Sequence, residues 1–254
     1  PTACSMALVP RCAMPDARAL SMARTWLDVL VRMMADDARR AAMVADLVHP
    51  KWLLMLVRPG LARDDVPLVL EFVGMLLSTS PSLAQTWTRL GGFRVLERTL
   101  PPHWDVPCVL PWMWTLLLGP HAPKSSLYHT FAHATAVAHP QALRVIVQCM
   151  AHGMMACRTA PAKRRASLPH IPAPPPGLTA LEDSVRLLVV HSHNEDVRAL
   201  LMLAPTLVAV LRATAPCFVD EPCGPRVCAL CDALVDMLAA CIAAVSYTHL
   251  RAHE

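Results

Sequence analysis

The stretch that decides the fold is LGGFRVLERTL, residues 90–100. Gly91 and Gly92 interrupt a preceding helical pattern, because glycine readily adopts the left-handed conformation that ends a helix. Phe93, Leu96 and Leu100 then recur at helical spacing. The stretch therefore predicts two helices joined by a short glycine turn.

Similar apolar stripes lie on both sides of this turn. Ser80-Pro81 predicts a helix start, since serine caps helix N-termini and proline suits the first turn. Asp65 and Pro67 mark an earlier start in the same way. The predicted core faces are Trp26, Leu30, Met33 and Met34; Val69, Phe72, Val73 and Leu76; Leu83, Trp87 and Leu90; Leu143, Ile146, Val147, Met150 and Met154; and Val227, Leu230, Leu234, Leu238 and Cys241. No alternating strand pattern accompanies them, so the sequence predicts an all-α protein.

The composition agrees with helices and narrows the function. Hydrophobic residues make up 55% of the 254 residues, aromatic residues 5% and charged residues 17%. This mixture favours helix over sheet and argues against long disorder. The net charge of +4 is small and spread along the chain. Nucleic acid is therefore not expected as a partner.

One-sided helices of this length bury their apolar faces only by stacking on neighbours. That is the arrangement of helical-repeat proteins. The glycine turn at residues 90–100 resembles the turn of armadillo repeats. We therefore expect an irregular armadillo/HEAT-like α-solenoid of stacked helices with no sheet. The spacing of the helices is too irregular for repeats to be counted, so a non-repetitive α-helical bundle stays open.

A proline-rich and basic segment divides the chain. Residues 158–178 include four prolines between Pro172 and Pro176, which exclude helix and favour an extended linker. The sequence predicts a helical-repeat block at 1–157, the linker at 158–178 and a second helical block at 179–244. Thr179 and Glu182 have the spacing of a capping box at the start of the second block.

One candidate modification site lies in this linker. Two arginines precede Ser167 in AKRRASLP, residues 162–169, as basophilic kinases require. Phosphate on Ser167 would add about −1.5 to −2 charge beside three cations. The alternatives are an ordinary solubilising linker and a nuclear-localisation signal at residues 163–165.

Four cysteines near the C-terminus have spacing that zinc or redox chemistry uses. Cys228 and Cys231 form a C-x-x-C pair, with Cys217 and Cys223 upstream. The flanks of the pair are apolar and in helical register, whereas a metal knuckle needs glycine and polar residues in a tight turn. We interpret these thiols as small core hydrophobes of a cytosolic protein with reduced cysteines.

Motifs for catalysis are not apparent in the sequence. His129 and His133 stand one helical turn apart, but Thr130 occupies the position where a zinc protease has its glutamate. No phosphate-binding loop, dinucleotide fingerprint or nucleophile-elbow motif occurs. We therefore expect no enzyme activity, catalytic residue, metal, cofactor or small-molecule substrate.

Two further features have a structural and a functional interpretation. Trp104, Trp112 and Trp114 lie among prolines and would form either a binding groove or core packing between helices. The apolar segments at residues 199–211 and 227–245 are long enough to raise the question of a membrane span. A proline in the first and two aspartates in the second favour core helices.

Two stretches carry a resemblance to a known family. The first is GGFRVLERTLPPHWDVPCVLPWMWTLLLG, residues 91–119, and the second is VVHSHNEDVRALL, residues 189–201. Both are similar to the region upstream of the BEACH domain in beige/neurobeachin-like proteins, most closely the fungal beige homologues. The residues in matching order are Gly91, Gly92, Phe93, Leu96, Leu100, Trp104, Pro107, Pro111, Gly119, His191, Ser192 and Arg198. The departures are Leu110, Leu118, Val190, Asn194 and Val197.

The resemblance implies a function in membrane traffic. It suggests a scaffold that acts by binding other proteins in vacuolar or lysosomal sorting, vesicle fusion and fission, or autophagy. It implies a cytoplasmic location, with peripheral association with endomembranes through PH-like, BEACH and WD-repeat modules further C-terminal. No functional residues carry over. The alternatives are another helical-repeat adaptor, such as a HEAT-type transport or ubiquitin-ligase subunit, and an enzyme of an all-α class.

The last ten residues, VSYTHLRAHE at 245–254, differ in character from the preceding apolar run. They match, in order, the translation of an adaptor used in transposase-made sequencing libraries. The sequence therefore predicts that this segment is not native and that the source genome continues differently after Ala244. Because the chain also opens on Pro1, we expect a fragment of a longer protein.

Overall fold

The computed structural model describes residues 17–159, 177–214 and 225–251. Within these ranges the chain forms thirteen α-helices, two short 3-10 turns and no strand. The all-α prediction is therefore confirmed for the described residues.

The helices follow one another with short connections. They are α1 (Ala17–Asp36), α2 (Ala38–Leu47), α3 (Pro50–Leu56), α4 (Val66–Thr79), α5 (Pro81–Arg89), α6 (Gly92–Thr99), α7 (Val109–Leu118), α8 (Leu127–Phe131), α9 (Ala142–Thr159), α10 (Leu178–His191), α11 (Glu195–Leu201), α12 (Ala204–Thr214) and α13 (Pro225–Arg251). The 3-10 turns span Arg63–Asp65 and Pro101–His103.

The predicted glycine turn and its preceding helix start are confirmed. Ser80 caps α5, and its Oγ accepts a hydrogen bond from the Leu83 amide at 3.4 Å. Gly91 follows α5 with φ of +83°, a left-handed conformation that other residues rarely adopt. α6 begins at the next residue. Local chemistry alone therefore determines where α5 and α6 begin and where the turn between them lies.

The predicted capping box is wrong. α10 begins at Leu178, and its N-cap is Gly177 with φ of +90° and no side-chain cap bond. Thr179 consequently lies inside the first turn. Glu182 instead forms an ion pair with Arg226 of α13, with 2.8 Å between Oε1 and Nε. A tertiary contact has taken the carboxylate that the local motif would have used.

The main helix contacts run between elements close in chain order. α1 packs on α2 and α4, α4 on α7, α7 on α9, and α9 on α12. α3, α5 and α6 pack on one another beside this series, and α10 and α13 pack together at the far end. A single cluster of buried apolar residues extends from Val31 to Cys241. The helices therefore share one continuous core.

Burial confirms three of the predicted core faces in full. These are the stripes that begin at Val69 in α4, at Leu143 in α9 and at Val227 in α13. In α5, Leu83 and Trp87 are buried, but Leu90 follows the helix end and is 42% exposed.

The predicted face of α1 is confirmed only in part, since Met34 is buried and Leu30 packs against the core while the other two residues are exposed. Val31 and Met34 are buried, whereas Trp26 and Met33 are exposed. This helix has apolar residues on two sides, and only one side faces α2 and α4.

Three tryptophans lie directly on helical glycines. The indole of Trp112 covers Gly74 of α4, Trp87 covers Gly92 of α6, and Trp104 covers Gly153 of α9. A Cβ added at any of these glycines would come within 2.7 Å of a ring carbon. Large rings thus fit between helices only where the opposing residue has no side chain.

The tryptophan segment contributes to the core, and Trp112 also borders an open cavity of about 280 Å³ with Pro107 and Pro111. Trp114 is fully buried and Trp104 is 6% exposed, while Trp112 is half-buried against α4. Of the two interpretations of these residues, the structure supports core packing for Trp104 and Trp114.

Buried hydrogen bonds join the helices on either side of the proline-rich segment. The Trp114 indole N–H donates to Ser184 Oγ at 3.0 Å, and the Tyr128 amide donates to the Asp183 carboxylate at 3.2 Å. His191 Nε2 lies 3.0 Å from the Phe131 carbonyl oxygen. These contacts fix α10 against α7 and α8.

Candidate functional site

The candidate phosphorylation site lies outside the described residues. Ser167 and the basic run at 163–165 fall in the range 160–176. Residues 215–224, which contain Cys217 and Cys223, also fall outside. These predictions stay predictions.

Of the other residues considered for a metal site, the two cysteines and His129 lie on helices, and His133 lies in the turn after α8. Cys231 is buried and Cys228 half-buried on α13, in the helical register that the sequence indicated. His129 and His133 are both exposed, and Ser126 caps α8 by accepting from the His129 amide. Within the described ranges no three His, Cys, Asp or Glu side chains are grouped to hold a metal ion.

Burial suppresses the reactivity of several thiols. Desolvation raises the pKa of the Cys108 thiol to about 11 and raises the pKa of Cys149, which is fully buried, further still. The protonated thiol is a poor nucleophile and a poor metal ligand. These two cysteines therefore behave as packing residues.

One exposed apolar feature of the described residues is a stripe on α1. It consists of Met22, Trp26, Val29 and Met33, at intervals of four, three and four residues. Their side chains are 58%, 65%, 41% and 41% exposed, respectively. The spacing places them on one side of the helix. We call this feature the α1 stripe.

The α1 stripe lies on a different side from the packed residues of the same helix. At 100° per residue, its centre is roughly 140° around the helix axis from the face that holds Val31 and Met34. Charged residues occupy the remaining side, where Arg32 pairs with Asp28 at 3.0 Å. A helix with two apolar sides and one polar side is typical of helices packed between two neighbours.

Helices α2 and α3 also have exposed apolar residues. Met43 and Leu47 of α2 are 66% and 83% exposed, and Trp52 and Met55 of α3 are 68% and 69% exposed. Each pair lies one helical turn apart. Large apolar patches on a protein surface mark interaction sites more often than single exposed residues do.

A second surface is a groove between α6 and α9, which we call the arginine groove. Two adjoining cavities of about 420 and 450 Å³ form it, and they share Arg94, Glu97 and Arg144 as lining residues. The groove also includes Arg89, Arg98, Gln141 and Gln148. Four arginines thus face one glutamate.

An internal ion pair braces the arginine groove. Arg144 Nη2 lies 2.9 Å from Glu97 Oε1, and the Glu97 side chain is only 18% exposed. Arg89 donates to the Thr86 hydroxyl at 3.2 Å. Arg94 and Arg98 are exposed and have no hydrogen-bonding or ion-pair partner among the described residues.

Helix α13 includes a segment long and apolar enough to cross a membrane. It is Pro225–Ala244, with mean hydropathy of 2.1 and 39% of the segment buried. In the described part of the chain, the bent pair Arg63–Thr79 and Pro81–Arg89 passes the same test only when taken together. Leu234 and Leu238 of α13 are buried in the shared core, and a core helix gives the same apolar signal.

Comparisons with known proteins identify no function for these surfaces. No family model matches the chain, and neither the curated proteins nor the solved structures contain a significant match.

Sequence reasoning missed both surfaces for identifiable reasons. Trp26 and Met33 have the spacing of core residues, and the sequence does not show that their side of α1 lacks a neighbour. Arg94 and Arg144 are 50 residues apart, and only the packing of α6 on α9 brings their side chains to one groove. A useful signal for the first surface was available, namely apolar residues on two sides of one helix.

Proposed function

We propose that this chain is a non-enzymatic helical scaffold that acts by binding other proteins. The observation that carries the proposal is the α1 stripe, four large apolar side chains left in solvent on one helix side. Exposing them costs free energy, about 25 cal/mol for each Å² of apolar surface. A partner that covers the stripe recovers this free energy.

The partner that fits the α1 stripe is another amphipathic helix. Residues at intervals of four, three and four match the ridge that one helix presents to the groove of another. Trp26 supplies the large aromatic anchor that dominates many interfaces. Met22 and Met33 supply flexible side chains that adapt to a partner surface.

The architecture we propose is an irregular armadillo/HEAT-like solenoid. Its support is the succession of contacts from α1 and α2 through α4, α7 and α9 to α12. In a solenoid each layer packs mainly on its neighbours, so an internal layer has apolar residues on two sides, one for each neighbouring layer. The two-sided α1 fits that position.

The biological setting we propose is a BEACH-type protein of vesicle traffic, vacuolar or lysosomal sorting, or autophagy. It rests on the resemblance at residues 91–119 and 189–201. The setting implies a cytoplasmic protein that associates peripherally with endomembranes.

The binding proposal is tested by photo-crosslinking from two positions on α1. A photoreactive amino acid at Trp26 reports on the α1 stripe, and the same residue at Arg32 reports on the polar side of the same helix. We expect a protein partner, identified by mass spectrometry, to be captured from position 26 and not from position 32. Equal capture from both positions, or none from position 26, contradicts the proposal.

The family proposal has a separate test. The gene is sequenced on both sides of the region that encodes this chain. A BEACH domain and WD repeats encoded downstream would support the family. Their absence from the complete gene would contradict it while leaving the crosslinking result intact.

A further inference from the structure

The arginine groove is a second surface, on helices that do not include α1, and it has its own chemistry. Its two cavities share three lining residues from α6 and α9, so they adjoin one another where these helices meet. The sum of their volumes falls within the range of sites that hold small ligands or peptide segments, about 300–1,000 Å³.

The charge in the groove is unbalanced. Glu97 pairs with Arg144 alone, so Arg89, Arg94 and Arg98 have no carboxylate partner among the described residues. Arg94 and Arg98 also lie one helical turn apart on α6. Like charges at this spacing destabilise a helix by about 0.2–0.5 kcal/mol. A carboxylate of an acidic partner, bound beside both arginines, would offset this repulsion.

The donors in the groove suit carboxylates. Arginine presents a planar group of N–H donors that binds a carboxylate with two parallel hydrogen bonds. The pair of Arg144 with Glu97 already shows one arginine–carboxylate hydrogen bond inside the groove, from Nη2 at 2.9 Å. Arg144 Nε is buried and has no hydrogen-bond partner among the described residues, so its donor capacity is only partly used.

The shape of the groove favours a polypeptide over other acidic partners. A groove between two helices admits one extended segment, whereas a membrane surface needs a flat or convex face. Single-stranded nucleic acids bind through exposed aromatic rings as well as cations. The aromatic residue that lines this groove, Phe93, is 5% exposed and packs against Trp87.

We propose that the arginine groove between α6 and α9 binds an extended acidic segment of a partner protein, rich in aspartate and glutamate. Arg94 and Arg98 bind its carboxylates along α6, and Arg89 binds at the end of α5. The Glu97–Arg144 pair holds the opposite wall in place. This site is independent of the α1 stripe, so either proposal stands if the other fails.

The test measures fluorescence anisotropy of a labelled decapeptide of alternating glutamate and glycine. The wild-type chain is compared with the double variant Arg94→Glu and Arg98→Glu. The matched control is Arg39→Glu with Arg58→Glu, which makes the same charge change at two exposed arginines outside the groove. Circular dichroism verifies that all variants are folded.

We expect the groove variant to bind at least tenfold more weakly and the control to change by less than threefold, on the order expected for direct against distant charge pairs. Equal losses would show non-specific attraction and overturn the proposal. Wild-type binding that is undetectable, or tighter binding of an oligothymidine of ten nucleotides, would also overturn it.

A gain-of-binding variant completes the test. Glu97→Gln removes the one carboxylate that competes for the groove arginines while it keeps an oxygen acceptor for Arg144. We expect binding of the acidic peptide to strengthen by about threefold, since the removed charge repels the peptide. Unchanged or weaker binding contradicts the proposed contacts, and misfolding cannot imitate the expected gain.

Discussion

Replacing Gly92 with alanine should destabilise the protein, although the same change stabilises most helices. Alanine in a helix is ordinarily favoured over glycine by about 1 kcal/mol. At position 92 the new Cβ would lie 2.2 Å from both Cδ2 and Cε2 of Trp87. Ordinary van der Waals contact is 3.4–4 Å, so the ring would have to move by more than 1 Å.

The surroundings of Trp87 prevent that movement. Its side chain is fully buried, and its ring packs edge-on against Phe93 with 5.1 Å between centroids. Overpacking a close-packed core costs about 1–3 kcal/mol. The gain in helix propensity is small because Gly92 is the first residue of α6. We expect a net loss of about 2 kcal/mol in the free energy of unfolding.

Urea unfolding followed by circular dichroism at the helix band measures this loss. For a chain of this size, about 2 kcal/mol corresponds to a decrease in Tm on the order of 4–8 °C. The control is Gly74→Ala, whose Cβ would lie 2.5 Å from Trp112, a half-buried ring that borders an open cavity and has room to shift. We expect that variant to change stability by less than about 1 kcal/mol.

A double-mutant cycle tests the assigned cause. In a Trp87→Leu background the smaller side chain leaves space for the Cβ, so Gly92→Ala should cost less than about 0.5 kcal/mol. An unchanged or increased stability of Gly92→Ala in the wild-type background would refute the packing argument. An undiminished cost in the Trp87→Leu background would place the cause elsewhere.

Three further predictions concern buried polar and reactive groups. Trp114→Phe removes the N–H that donates to Ser184 Oγ and leaves a buried hydroxyl without its donor. Urea unfolding should therefore show that the free energy of unfolding falls by about 1–3 kcal/mol. A decrease of less than about 0.5 kcal/mol would contradict this. Burial lowers the pKa of His191 below 6.5, against the opposing effect of its bond to the Phe131 carbonyl, so the unfolded chain binds more protons. The contribution of His191 to stability is therefore present above pH 6.5 and is lost as the pH falls toward the folded pKa. Urea unfolding midpoints measured between pH 7.5 and 5.5 should fall less steeply in His191→Gln than in the wild type. Parallel slopes would contradict the assignment. Because the pKa of Cys108 is raised from 9.0 to about 11, its thiolate fraction at pH 8 is about a hundredfold below that of an ordinary cysteine. Peptide mapping after iodoacetamide treatment should therefore show that Cys108 is labelled more slowly in the native protein than in urea, by about that factor. Equal labelling rates would refute the burial effect.

Helix positions were largely predictable because short-range chemistry controls them. The cap at Ser80 and the left-handed Gly91 involve atoms within three or four residues of each other. The regular apolar stripes of α4, α9 and α13 likewise follow from the helical period. The exception is Thr179, where Gly177 starts the helix earlier and the distant Arg226 binds Glu182.

The candidate surfaces were not predictable from such patterns. The α1 stripe and the buried side of α1 are equally apolar, and only the positions of α2 and α4 decide which side is covered. The arginine groove needs α6 and α9 to pack side by side before Arg94 and Arg144 line one cavity.

The sequence by itself thus determined that this chain is helical and where most of its helices begin and end, because backbone hydrogen bonds and caps connect near neighbours. The tertiary structure decided which apolar faces are buried, which tryptophan lies on which glycine and which arginines converge. Those outcomes depend on contacts between residues tens of positions apart, whose free energies no local pattern encodes.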